Sequence, residues 1–251
     1  MNILNFVFRN GVIVALLFLV APDSSLAHID IESRLTGTTA GDRAFLERLE
    51  NVLAHTEKRI RAVFGIDLAR KAIVVRSQES FDLELAEPDP SSAAGKPDSL
   101  MINSEVVRNY SAKDLPIACA RGLYLMAWPK FQKPFSTDNA LVERLYVEGM
   151  TAYAAELLYP GARPWQYAGL YGSEGRGLYK QYVPLEKSLA EEVRKTLAAG
   201  AAKKTDDRLV SRQRTGPAVV LIPAGKLLSY RIIKTFEKDM DPKMIQLKDF
   251  K

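Results

Sequence analysis

The chain has 251 residues, 47% of them hydrophobic and 26% charged, with a formal net charge of +5. That balance excludes a disordered chain. The Lys and Arg residues are interleaved with Asp and Glu and form no basic block, which argues against a nucleic-acid partner.

Residues 1–27 read as a cleavable signal peptide. Arg9 gives a positive start, Val12–Ala21 is apolar and uncharged, and Ser25-Leu26-Ala27 offers small residues at the cleavage spacing. The apolar segment is too short to span a bilayer comfortably, so cleavage before His28 is expected and no stable membrane span remains. No cysteine stands directly after that segment, which excludes a bacterial lipid anchor. A periplasmic or secreted location follows, with residues 28–251 as one domain.

Gly41–Phe64 has the periodicity of a long amphipathic helix, with Phe45, Leu49, Val52, Leu53, Ile60, Val63 and Phe64 on its inner stripe and Gly65 as its stop. Lys71–Arg76 reads as a short buried strand and Leu100–Val107 as a second, while Ser77–Ala86 fits no single class. Glu87–Pro97 has the composition of a loop.

Two apolar helices follow, at Asp114–Trp128 and Asp138–Tyr159. The prolines of the PKFQKPF segment are expected to stop the first, Ser136 or Thr137 to cap the second, and Gly161 to close it. Both are too apolar to lie on a surface. Ile117, Ala120, Leu123, Tyr124 and Ala127 recur at helical spacing on the first; Leu141, Leu145, Gly149, Ala152, Tyr153 and Leu157 do so on the second. Glu148 stands alone within that second pattern. An acid in such a place needs a base if buried, and Arg121 is the natural partner.

Arg163–Tyr182 is rich in aromatic residues and glycine. Its GSEGRG stretch lacks the lysine of a phosphate loop and reads as a flexible turn. Tyr171-Gly172-Ser173-Glu174-Gly175 approaches a nucleophile elbow, but a tyrosine stands at the first glycine position and no strand precedes it. Leu185–Ala199 is a further helix, Ala201–Pro217 a loop, and Pro223 is well placed to open the last helix.

Val147-Glu148-Gly149-Met150-Thr151-Ala152-Tyr153, followed by Leu157-Leu158-Tyr159-Pro160-Gly161, resembles the second active-site helix of bacterial zinc-dependent peptidases of the gluzincin type. Pro223–Lys238 resembles the C-terminal helix of that family, with Tyr230 and Arg231 at the matching Tyr and Arg positions; Leu227 and Leu228 stand where the family has paired aromatics. The likeness runs in order through the greater part of the chain after Ala27. It implies an α+β, mainly helical domain with a small sheet whose edge strand borders a cleft. In that family an HExxH helix supplies two zinc ligands and a base, and a later glutamate completes the metal site. Here Ala120-Arg121-Gly122-Leu123-Tyr124 stands in place of HExxH, and the chain has two histidines in total, His28 and His55. Arg121 thus matches the position of the base, and Glu148 that of a ligand.

The resemblance therefore implies a pseudo-peptidase. It would have no catalytic residue, metal or cofactor, and would bind a peptide or an envelope protein in its cleft. Arg121, Tyr124, Glu148, Tyr153, Tyr230 and Arg231 are the expected lining. Two other readings stay open: a hydrolase with a non-standard site around Glu148 and Cys119, and a structural envelope protein whose cleft is filled. A copper site at His28 and His55 is disfavoured by the helical character of the chain.

Overall fold

A computed structural model describes residues 30–33, 39–68, 72–76, 83–85, 99–131, 140–198 and 218–236. The expected signal segment, His28, the loops expected at Glu87–Pro97 and Ala201–Pro217 and the expected caps Ser136 and Thr137 lie outside them. The fold is mainly helical.

Strand β1 (Asp30–Ser33) precedes helix α1 (Ala40–Phe64). Thr39 opens α1 with a capping box. Its hydroxyl accepts from the Asp42 N–H at 3.2 Å, and its own N–H donates to Asp42 Oδ2 at 2.9 Å. Gly65, at φ 71°, closes the helix by donating to Arg61 O, as a left-handed C-cap requires. Phe45, Leu49, Leu53 and Ile60 are buried, so the expected stripe faces the core.

Strands β2 (Ala72–Arg76), β3 (Leu83–Leu85) and β4 (Ser99–Asn103) join β1 in a sheet of order β1-β2-β4-β3. β1 pairs parallel to β2, with Asp30 opposite Ala72, and β2 parallel to β4, with Ala72 opposite Ser99. β3 pairs antiparallel to β4, with Leu83 opposite Ile102, and forms an edge. Ile73, Val75, Leu100 and Ile102 alternate along the strands and are fully buried. The second expected strand stops at Asn103, because the Asn103 side chain accepts from Glu105 N at 3.1 Å and starts the helical turn α2 (Ser104–Val107).

Helix α3 (Asp114–Phe131) runs beyond Trp128 and through Pro129. A proline costs a helix one donor and some strain, and here that loss does not end it. Helix α4 (Ala140–Leu158) is the central element, touching α1, α3 and the last helix. Leu145, Tyr146, Ala152, Tyr153, Ala154, Ala155 and Leu158 are buried almost all round it. Gly161, at φ 90°, follows its end, as expected.

The short helix α5 (Pro164–Tyr167) leads to α6 (Gly172–Tyr182), a 3-10 turn (Val183–Leu185) and α7 (Glu186–Ala198). The GSEGRG stretch is therefore the first part of α6 and not a free turn. Gly172, at φ 65°, makes the entry, and Gly175 packs against the Leu170 backbone, where a Cβ would come within 2.5 Å. Helix α8 (Ala218–Phe236) begins before Pro223 and takes in the apolar run Ala218–Ile222. Pro223 lies inside it rather than opening it.

Candidate functional site

Arg121 lies inside the helical layer, 8% exposed. Its Nη2 donates to Glu148 Oε2 at 2.8 Å, and its Nη1 to the Tyr167 carbonyl at 2.6 Å. One guanidinium thus joins α3, α4 and α5, which suits its planar array of donors better than an ammonium. Gly169, at φ 79°, leaves room for it: a Cβ there would stand 3.1 Å from Arg121 Nε. The Glu148 side chain keeps 24% of its exposure, so the pair is only partly desolvated.

The turn that presents the Tyr167 carbonyl is itself held. Tyr167 Oη accepts from Ala162 N at 2.8 Å and donates to Tyr159 O at 2.9 Å. Gln166 Nε2 donates to Asp114 Oδ1 at 2.7 Å, fastening α5 to the start of α3. Burial raises the pKa of Tyr167, so its phenol stays protonated and remains a donor.

The glycine after Glu148 has a packing role. A Cβ on Gly149 would lie 2.6 Å from both Ser229 O and Ile233 Cγ1, so α4 and α8 cross there in close approach.

The other expected lining residues separate. Tyr230 is 4% exposed; its hydroxyl donates to Glu156 Oε2 at 2.8 Å, and its ring centroid lies 5.9 Å from that of Tyr167. Lys234 stands 3.1 Å from the same Glu156 oxygen and over the Tyr153 ring. Arg231, one residue on from Tyr230, is exposed and turns to α7, with Nε 3.5 Å from Glu186 Oε1. Tyr124 and Tyr153 are 3% and 1% exposed and pack with Tyr146, Met150 and Ile233. These two rings fill the interior and do not line an open wall. Their hydrophobic area decides this, since burying it outweighs leaving it beside solvent.

The donor set of Ala120–Tyr124 does not fit a zinc ion. Ala120 has no donor, and burial raises the pKa of the Tyr124 phenol, which disfavours the phenolate. Arg121 sets a fixed positive charge against Glu148, where a cation would have to sit. Burial also pushes the Cys119 thiol up to about 12, so it is protonated and a poor nucleophile. His55 is exposed on α1, its ring centroid 6.4 Å from that of Tyr159. Among the described residues, no group of three or more His, Cys, Asp or Glu side chains is placed to hold a metal.

Sequence reasoning pairs Arg121 with Glu148, and the structure joins them. It misses Tyr167, Glu156 and Lys234. The Tyr167 contribution comes from a backbone carbonyl, which leaves no side-chain signature. Glu156 could have been found as the third carboxylate on α4, eight positions after Glu148 and on a neighbouring face.

No family model, no curated protein and no solved structure matches the chain. No helix among the described residues is long and apolar enough to cross a membrane.

Proposed function

We propose that the chain is a degenerate gluzincin-type peptidase domain, exported by its N-terminal segment, that binds a peptide or a partner protein without cleaving it. The observation that carries this reading is the Arg121–Glu148 pair at 2.8 Å. It sets a guanidinium against the acid at the positions that the resemblance assigns to a base and a metal ligand. The arrangement of elements supports it too. Among the described strands β3 is an edge with one neighbour, and it lies beside α3, the helix that carries Arg121. An extended peptide could pair with that edge, its main-chain groups supplying affinity without any catalytic group.

Hydrogen exchange on the purified chain, with and without a library of extended peptides, tests this. Slowed exchange of the Leu83–Leu85 amides on peptide addition is the expected result. Peptides that bind and are cut would count against a non-catalytic role.

The burial of Tyr124 and Tyr153 favours a second reading, a structural envelope protein with a filled cleft. It predicts no peptide-dependent protection anywhere in the sheet.

A further inference from the structure

The 3-10 turn between α6 and α7 shows apolar residues to solvent. Val183 is 49% exposed and Leu185 42%, and Pro184 between them is exposed as well. Among the described residues one other large hydrophobic side chain, Val106, is exposed. The backbone stays helical through the turn, with Tyr182, Val183 and Glu186 all at right-handed helical dihedrals. Tyr182 and Leu189 are what this stretch turns into the core, and Val183–Leu185 is left outside. A lone exposed aliphatic residue is ordinary surface, whereas three apolar residues in a row on one turn make a small patch.

Cations flank that patch. Lys180 lies one helical turn before it and Lys187 just after it. Both are exposed, and neither has an ion-pair partner among the described residues. Glu186 is the one acid within residues 180–187, and it is engaged by Arg231, Nε to Oε1 3.5 Å. The charge around the turn is therefore net positive. A soluble polyanion would answer the lysines and leave Val183 and Leu185 in water. A bilayer with anionic head groups answers both, because it layers negative charge over hydrocarbon. Lysine suits that boundary, since its stem can lie along apolar surface while the ammonium stays at the phosphates.

We propose that the turn Val183–Leu185 is a peripheral membrane contact. Val183 and Leu185 enter the interface of an anionic bilayer, and Lys180 and Lys187 engage its head groups. Two aliphatic side chains and two lysines give a weak, reversible attachment, and no helix crosses the bilayer. The inference does not depend on the peptidase resemblance.

The test reports contact at the turn itself. Cys119 is fully buried, so an introduced surface cysteine can be labelled selectively with an environment-sensitive fluorophore. Val183→Cys, and Val106→Cys as a control, are labelled in the purified chain. Each is titrated with vesicles of phosphatidylcholine, alone or mixed with phosphatidylglycerol. The label at position 183 should shift to the blue with mixed vesicles, at a lipid concentration at least about tenfold below that needed with phosphatidylcholine alone. The label at position 106 should not shift. Combining Lys180→Gln and Lys187→Gln should raise the lipid concentration needed by about twentyfold, at about fivefold for each lysine near an anionic surface. The same change at Lys58 and Lys113, which are exposed on α1 and just before α3, should move it less than about twofold. Melting temperatures should stay at the parental value throughout, because every residue changed is exposed. No shift at position 183, an equal shift at position 106, an equal response to both kinds of vesicle, or an unchanged titration of the Lys180 and Lys187 variant would each overturn the proposal.

Discussion

Gly149 and Ser229 meet backbone to backbone where α4 crosses α8, with 2.6 Å between the place of a Gly149 Cβ and the Ser229 carbonyl oxygen. The obstacle is main chain and cannot swing aside. Gly149→Ala should therefore cost about 1–3 kcal/mol, the usual range for overpacking a tight core. Gly177→Ala is the control, since nothing lies within 4 Å of a Cβ there. It sits inside α6 and should gain about 0.5–1 kcal/mol from the better helix former. Urea unfolding of both variants reads the difference, and equal effects would rule out the close crossing.

Arg121 and Glu148 should be energetically coupled. A double-mutant cycle with Arg121→Met and Glu148→Leu, read by urea unfolding, should give a coupling of about 0.5–3 kcal/mol. The double variant should not recover the full parental stability. Arg121 also serves the Tyr167 carbonyl, and a methionine would leave that buried acceptor unmet. Strict additivity of the two single losses would show that the residues are not partners.

Stability should fall in acid partly through Asp42. The Thr39 hydroxyl and N–H, then Arg108, hold its carboxyl at about 2, against an ordinary 3.8. A carboxyl lowered by folding contributes stability above its unfolded pKa and loses it as pH falls toward its folded one. The window therefore lies between about pH 4 and about pH 2. Asp42→Asn should be the less stable protein at neutral pH, with the gap closing across that window. A constant gap down to pH 2 would remove Asp42 as a cause.

Cys119 should be silent in the native protein. With its thiol pushed up to about 12 and its side chain fully buried, alkylation at pH 8 should be orders of magnitude slower than after unfolding in urea. Mass spectrometry of iodoacetamide-treated samples measures this directly. Rapid native labelling would return Cys119 to the list of reactive groups.

Periodicity carried much of the fold. The stripe from Phe45 to Ile60 and the apolar surrounds of Glu148 both reach the core, because helical spacing and burial act over the same few residues. Glycine and proline misled three times, at Pro129, at Gly172–Gly177 and at Pro223. Their local penalties of about a kilocalorie for glycine and about three for proline are overcome when a helix gains enough tertiary packing. β1 went unseen because it is four residues long and owes its existence to β2, far along the chain. At the candidate site, charge logic alone connects Arg121 to Glu148. Whether a tyrosine lines a groove or fills a core depends on helix rotation, which the spacing of Tyr124 and Tyr153 does not encode.

The close crossing at Gly149 also sets an order of events in time. α4 ends at Leu158, whereas α8 does not begin until Ala218. A chain emerging from a ribosome presents α4 with one side uncovered until α8 arrives. For that interval Met150, Tyr153 and Ala154 lack the helix that covers them in the finished protein, so a nascent chain stalled before Ala218 is the form that a holding chaperone would grip.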